Sequence, residues 1–496
     1  MRKYIVFMVL LAMLISTVFA ENAKAGGIKS IRQALENDGF IVQEGELGVF
    51  DLVKIYNEGL IPSAYGNNPI TRYLVYFVPS TPGEQIDKRS STISEVLGKS
   101  EDVIPTIKNL RPDEAIIFVG RTPPECRYFS YDVNLMFRTY GNETRWEWTS
   151  LGDPVNNLVI KTEGTPYGQP GNPFNQTTVV ITTADKGIDR RIRAAAESAG
   201  YSDNITNTQV IPSSIMNMGS GNNSDTFAIY IRPALFKDQQ AGSAYTNNTP
   251  ATILRITPKN TTTLEPYDMP ELRTRGTGKT EFYLMDDLEK LRQAILNKYS
   301  GLNATELPTS IWFTAEEMAH LQMRINPWGP DNDACYLWTA NQTPSSPTPP
   351  YCNLSQYYGY LQNPSIALDN DINEFIIVYG VNHVAAGKAM YQNIGIFGAD
   401  AWNGVGAVTD QDFNGTAEAY LPGNPDAKYL YVYKIARHSN ADPHCFEVPY
   451  GPGGYGIDQG QPLFIGWRLY LEKATKTGPS YSEILYDRAI KFSPRK

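Results

Sequence analysis

Residues 429–435 read YLYVYKI. Tyr429, Tyr431 and Tyr433 alternate with Leu430, Val432 and Lys434. A period of two places the tyrosines on one face of a β-strand and their neighbours on the other, the habit of antiparallel sheets. Outward from it, 374–379 (EFIIVY) and 463–471 (LFIGWRLYL) are compact apolar runs of strand length. The C-terminal region is therefore expected to be rich in β-structure.

Further upstream, YLVYFVP (73–79), EAIIFVG (114–120), TVVIT (178–182), TFAIYI (226–231) and ATILRI (251–256) read as strands, and CRYFSYDVNLMFR (126–138) with LVIK (158–161) as β-structure broken by turns. Helices are predicted over 28–38, with Ile28, Ile31 and Leu35 on one face, over 189–200, and over 286–300, where Leu288, Leu291, Ile295 and Tyr299 recur at intervals of three and four. Short helical connectors are expected at 93–97 and 103–110. The strand at 178–182, its polar turn and the helix at 189–200 make one βα step. Together these give an α+β chain of predominantly antiparallel sheets with a few flanking helices, in two lobes.

The turn- and Pro-rich sequence between about 327 and 364 suggests where the lobes divide. The expected organisation is a leader at 1–20, an N-terminal α+β region at 21–326, an excursion at 327–364 and a β-rich region at 365–496.

At the N-terminus, Arg2 and Lys3 precede an apolar run from Tyr4 to Ala20. A basic start, an apolar middle and small residues before Glu21 form a secretory signal, cut after Ala20 or, second, after Ala25. No later stretch has the length of uninterrupted apolar sequence that a bilayer crossing needs, so the mature chain is expected to lack an integral membrane segment. A hydrophobic fraction of 42% with 11% aromatics belongs to a packed globule. Removal of Arg2 and Lys3 takes the formal net charge from −9 to −11, and no basic cluster compensates, which argues against nucleic acid as a partner.

Export predicts modification. Asn-x-Ser/Thr triplets occur at Asn142, Asn175, Asn204, Asn222, Asn247, Asn260, Asn303, Asn341, Asn353 and Asn414, each a candidate glycan acceptor. Four cysteines are present. Cys335 and Cys352 bracket YLWTANQTPSSPTPPY, a loop without regular structure, and are expected to pair; such a ring stabilises by about 3 kcal/mol. Cys126 and Cys445 are then assigned to each other by default. Left free, Cys445 beside His444 would be a thiol of interest.

All four histidines, at 320, 383, 438 and 444, lie in the last 180 residues. His383 follows the strand at 374–379, and His438, Asp442 and His444 follow the strand at 429–435. If these strands are neighbours, the four side chains could meet as a catalytic group, with His383, His438 and His444 holding a divalent metal that activates water. Glu317 and His320, three apart on a helical segment, form a single Glu-x-x-His pair, too little for a metal site.

Arg127, Tyr131 and Asp132 could pair beneath a site or simply tie a sheet together. Asp185 and Asp189, opening the helix after TVVIT, suit the helix dipole better than an anion. Two look-alikes fail on context. GTGKT (276–280) has Arg273 where a phosphate loop opens with Gly, and GPGGYG (451–456) is a turn cluster with no helix behind it.

The sequence therefore describes a secreted or cell-surface glycoprotein and leaves its activity open between two expectations. One is an extracytoplasmic, metal-assisted hydrolase built on His383, His438, Asp442 and His444. The other is a protein that binds glycans or small ligands without catalysis, through some of its 31 Tyr and 7 Trp.

Overall fold

The computed structural model describes residues 28–311 except 62 and 142, residues 332–339, and residues 366–495 except 452–453. The leader, Glu317, His320, Cys352 and the triplets at Asn142, Asn341 and Asn353 lie outside the described residues. The chain is α+β, with predominantly antiparallel sheets and few helices.

The N-terminal sheet has eleven strands. Its main path runs Thr206–Val210, Thr177–Thr183, Ala115–Arg121, Ala251–Pro258, Phe40–Val49, Leu74–Phe77, Thr226–Ile231, Ser130–Tyr140, Glu143–Ser150. Only the first pair is parallel, and it is the pair joined by the predicted βα step. Phe40–Val49 pairs with Ala251–Pro258 through Gly45 and with Leu74–Phe77 from Glu46 onward, so the sheet turns along this strand. Gly45 permits the turn, because a Cβ there would overlap the carbonyl of Phe77.

The two halves of this sheet share one core, with Ile116, Phe118 and Val180 from one half facing Tyr76, Tyr131 and Phe227 from the other. Helices 28–37 and Lys186–Ser198 cover the outer face of the first half through Ile31, Leu35, Ile188 and Ile192. Helices Leu52–Asn57 and Lys88–Val96 cover the second through Leu52, Ile55 and Ile93.

The C-terminal lobe is a sandwich of two five-stranded sheets. One runs Asn303–Leu307, Arg488–Ser493, Phe375–Val381, Leu430–Ala436, Cys445–Glu447, and the other Thr309–Ile311, Ala334–Thr339, Leu463–Tyr470, Tyr391–Gly398, Asn403–Thr409. Ile376, Val378 and Ile435 of the first meet Ile394, Trp467 and Leu469 of the second. Helix Met285–Lys298 lies on the outer face of the first sheet, where Leu288, Leu291 and Ile295 are fully buried against Ile377, Tyr379 and Val432. Each such side chain contributes about 2 kcal/mol of burial. The outer face of the second sheet packs on the N-terminal lobe, with Tyr391 stacked on Tyr470 at 5.1 Å and Tyr128 at 4.6 Å from Tyr470.

Several expectations are corrected. Helix Met285–Lys298 and strand Asn303–Leu307, which precede the Pro-rich stretch in sequence, pack and pair with the sandwich. Within the Pro-rich excursion, Ala334–Thr339 is a buried strand between two others of its sheet. Residues 158–161 form no strand, pairing falling instead at Val155–Asn156, and 103–110 holds a two-residue strand, Ile107–Lys108, in place of a helix.

The Cys126–Cys445 bridge is not formed, because the two residues lie on separate sheets, Cys126 on a two-stranded ribbon and Cys445 on an edge strand of the sandwich. Cys335 is likewise a free, buried thiol in this structure. Among the described residues, no helix is long and apolar enough to cross a membrane.

Candidate functional site

Strands Phe375–Val381 and Leu430–Ala436 are indeed neighbours, but they run antiparallel, with Phe375 opposite Ala436 and Val381 opposite Leu430. The residues that follow each strand therefore emerge at opposite ends, separated by about 20 Å of strand length. His383 is fully buried at one end. His438 is exposed at the other, its Nε2 at 2.6 Å from Asn370 Oδ1, and His444 is near the edge of the Tyr433 ring. Asp442 Oδ1 accepts from the His444 backbone N–H at 3.0 Å, so it closes a local turn. The structure brings Asp442 to His444 and brings neither to His383. Among the described residues, no three His, Cys, Asp or Glu side chains converge as a metal would require. The expected metal set of His383, His438 and His444 is not assembled.

His383 instead occupies a buried charge network. Loop 382–390 crosses from one sheet of the sandwich to the other and carries both His383 and Lys388. His383 Nδ1 is 2.6 Å from Glu281 Oε1 and Nε2 is 3.2 Å from Asp487 Oδ2. With an acceptor on each side, both ring nitrogens donate and the ring is an imidazolium. Burial alone would lower its pKa, but attraction to Glu281 and Asp487 and the two hydrogen bonds outweigh burial and hold it up at about 10.

Asp487 is fully buried and also receives a hydrogen bond from Tyr431 OH at 2.6 Å, and Trp467 Nε1 donates to that hydroxyl at 2.9 Å. Gly380 leaves the space that this carboxylate fills, since a Cβ there would overlap it.

Five residues on, Lys388 Nζ reaches Glu472 Oε1 and Glu483 Oε2, both at 2.6 Å, and the Lys279 carbonyl at 3.0 Å. The backbone N–H groups of Thr277 and Gly278 donate to Glu483 at 2.9 and 2.5 Å. The phosphate-loop look-alike at 276–280 thus does bind an anion through its main chain, but the anion is the protein's own carboxylate. This network is enclosed and largely satisfied, and it fixes the connecting segment 259–284 to the sandwich rather than offering a place for substrate.

The other charged candidates are also structural. Arg127 does not pair with Asp132. It reaches across the lobes to Asp410 at 2.9 Å and to the Met390 carbonyl, whereas Asp132 pairs with Arg232 at 3.1 Å. Tyr131 lies in the N-terminal core. Asp185 caps helix Lys186–Ser198 by accepting from Ile188 N at 2.9 Å, as its position before the first turn predicts. The tyrosine stripe is no open platform. Tyr431 and Tyr433 are buried and Tyr429 is half-buried, because this strand is covered on both faces.

An open site lies elsewhere, at the seam between the lobes. A cleft of about 230 Å³ is bounded by Tyr56 of helix Leu52–Asn57, by Asp400 of the turn between the last two strands of the second sheet and Asn403 at the start of the final strand, and by Asp458 and Gln461 of a later loop. Gly398, Gly451, Gly454 and Gly456 also line it, with Ala401, Ile457 and Pro462. Gly454 has a left-handed φ of +80° and packs close to Val53, and a Cβ at Gly456 would overlap Gly451, so both positions require glycine.

The seam is pinned by main-chain hydrogen bonds from Ala64 N to Ala401 O at 2.7 Å and from Gly66 N to Trp402 O at 2.6 Å. Tyr455, half-exposed on the same loop, places its hydroxyl 3.4 Å from Asp51 Oδ2 across the seam.

Sequence reasoning missed Glu281, Lys388, Glu472, Glu483 and Asp487 because their charged partners lie 84 to 104 residues away, a separation that no local spacing encodes. For the cleft, the one available signal was the GPGGYG turn, where a glycine cluster exposes main-chain groups. No family model matches the chain, and no curated protein matches its sequence.

Proposed function

We propose that this protein is exported and binds a small polyhydroxylated ligand, a sugar in chemical class, in the cleft between its lobes, without catalysing its conversion. The observation that carries this reading is the cleft itself: a concave space lined by Tyr56, Asp400, Asn403, Asp458, Gln461 and glycine backbone. An aromatic ring offers a face for the apolar side of a sugar ring, and carboxylates, amides and peptide groups offer the dense acceptors and donors that hydroxyls require. The volume, just below the usual range for drug-sized ligands, suits one ring.

The surface is compatible with export. Of the seven described triplets, Asn175, Asn222, Asn247, Asn260, Asn303 and Asn414 are exposed, as glycan acceptors must be, and Asn204 is half-buried.

Isothermal titration of the purified protein against a panel of mono- and disaccharides tests the proposal. The expected result is saturable binding that Tyr56→Ala and Gln461→Ala each weaken by 1 kcal/mol or more, on the order expected for loss of a stacking or hydrogen-bonding contact. Absence of binding across the panel overturns it. Release of a cleaved or modified sugar during incubation overturns the non-catalytic part.

A further inference from the structure

Strands Leu430–Ala436 and Cys445–Glu447 lie side by side and run parallel, with Lys434 opposite Cys445 and Ala436 opposite Glu447. A parallel pair ordinarily needs a connection of about a dozen residues or more, and here residues 437–444 alone make it. The short return passes through Asn440 and Ala441, with φ of +55° and +60°. Among the described residues these are the only two successive non-glycine positions in the left-handed region. A Cβ disfavours that region, so the flanking strands impose the conformation on the loop.

The next three residues are Asp442, Pro443 and His444. Asp442 Oδ1 accepts from the His444 backbone N–H at 3.0 Å, closing a ring that contains the Asp442–Pro443 peptide bond. That carboxylate makes no ion pair with a described residue. Asp442 is half-buried, and Pro443 and His444 are exposed to water. The chain's other Asp-Pro bond, Asp153–Pro154, is placed differently: Asp153 Oδ2 accepts from Arg273 N at 2.5 Å and Oδ1 from Asn332 Nδ2 at 2.7 Å, so both oxygens are engaged away from their own peptide bond.

We propose that the chain cuts itself at the Asp442–Pro443 bond, with the Asp442 carboxylate as nucleophile and His444 as the acid that protonates the departing nitrogen. A carboxylate oxygen of Asp442 bonds to the residue's own main-chain carbonyl carbon, which closes a five-membered ring. The C–N bond to Pro443 breaks as the proline nitrogen takes a proton from the His444 imidazolium, leaving a cyclic anhydride at Asp442. Water opens the anhydride to two carboxylates, and the two protons released restore the imidazolium and charge the new proline N-terminus. Proline suits the departing position because its amide is tertiary, and an imidazole ordinarily gains its proton between pH 5 and 8.

The two pieces stay together after the cut. Leu463–Tyr470 lies between Ala334–Thr339 and Tyr391–Gly398, and Arg488–Ser493 lies between Asn303–Leu307 and Phe375–Val381. The cut is therefore visible only after denaturation.

The test is incubation of the purified full mature chain at pH 6 and 37 °C for one week, followed by denaturing electrophoresis and mass spectrometry. The expected product is a fragment running from Pro443 to Lys496. It should form with first-order kinetics, at a rate unchanged by tenfold dilution or by protease inhibitors. Asp442→Ala and Pro443→Ala are expected to abolish it, and His444→Ala to slow it by about a hundredfold, the lower end for a general acid. Urea midpoints equal to that of the natural chain check that the variants are folded. An uncut chain, cutting that persists in Asp442→Ala, or a rate that rises with concentration overturns the proposal. An unchanged rate in His444→Ala overturns the role of the imidazole.

Discussion

Replacing His383 by Gln should destabilise the protein by about 3–5 kcal/mol at pH 6, the range for removing one partner of a buried ion pair. The ring is fully buried and donates to Glu281 at 2.6 Å and to Asp487 at 3.2 Å. Gln has no charge and one donor nitrogen, so two buried carboxylates lose their shared cation.

The magnitude has a second route. Although burial lowers the imidazole pKa, the two carboxylates carry it from 6.5 to about 10. At 1.36 kcal/mol per pH unit that rise corresponds to a ceiling of about 5 kcal/mol. The folded state holds this proton more tightly than the unfolded chain does. Its contribution is therefore complete below pH 6.5 and is lost as pH climbs through 10. Burial pushes the Asp487 carboxyl up as well, against the pull of His383, so its effect runs in the same direction with pH.

Urea unfolding of the natural protein and of His383→Gln at pH 6, 8 and 10, followed by tryptophan fluorescence, measures the gap. Trp467 reports locally through Tyr431 to Asp487. The gap should narrow steadily with pH. A gap that is equal at all three values, or smaller than 1 kcal/mol at pH 6, would show that the ring is not a charged partner of these carboxylates.

Lys388→Met leaves Glu472 and Glu483 without their cation and should cost about 3–5 kcal/mol at pH 7 by thermal or urea unfolding. Burial works against it, but Lys388 and the N–H groups of Thr277 and Gly278 hold the Glu483 carboxyl down at about 2, so its stabilisation exists above pH 4.5 and fades as pH falls through 2; the Lys388→Met deficit should shrink in acid. Arg255→Met breaks the fully buried pair with Glu114 and should cost a similar 3–5 kcal/mol in urea, of which Arg255→Met with Glu114→Leu should recover most. Alkylation of the unreduced protein should label both Cys126 and Cys445 in urea. In the native state only half-buried Cys445 should react, and slowly, because burial pushes its thiol up to about 11.

The strands were the most legible part of the chain. LVYF, AIIFV, TFAIYI and LFIGWRLY are buried along their whole length, so apolar runs of strand length announce them. Tyr391–Gly398 and Asn403–Thr409 escaped because YQNIGIFG and NGVGAVT contain the glycines that ordinarily mark turns. Those glycines are needed for packing. A Cβ at Gly404 would overlap the Asn67 carbonyl, and one at Gly406 would overlap the Phe446 ring.

Helix Met285–Lys298 was readable from its period, yet its membership of the C-terminal lobe was not, because a hydrophobic stripe does not name the sheet it covers. The site failed for a related reason. That two strands are adjacent follows from composition only loosely, and their relative direction does not follow at all. With parallel strands His383 and His438 would share an end, whereas the antiparallel pairing of Val381 with Leu430 sends them apart.

The same reversal explains why the chemistry-bearing residues ended up inside. Loop 382–390 has to cross the thickness of the sandwich, and segment 259–284 has to pass from one lobe to the other, so both bring polar backbone into places without regular pairing. Charged side chains satisfy them: Lys388 takes the Lys279 carbonyl, Arg275 takes those of Ala334 and Pro479, and Glu281 accepts from Leu485 N. Arg273 adds an ion pair to Asp333, whose carboxylate also receives Tyr128 OH and Asn156 Nδ2 from the N-terminal lobe.

With Cys126 and Cys445 unpaired, no covalent link between these cysteines joins the lobes, and a seam made of such contacts is what holds Tyr56 opposite Asp400 and Asp458. The buried charges are therefore positioning elements for the cleft. If that is so, Arg273→Ala, far from the cleft, should weaken sugar binding as well as stability, and at a temperature where the variant remains folded its loss of affinity should exceed that of the exposed control Lys237→Ala.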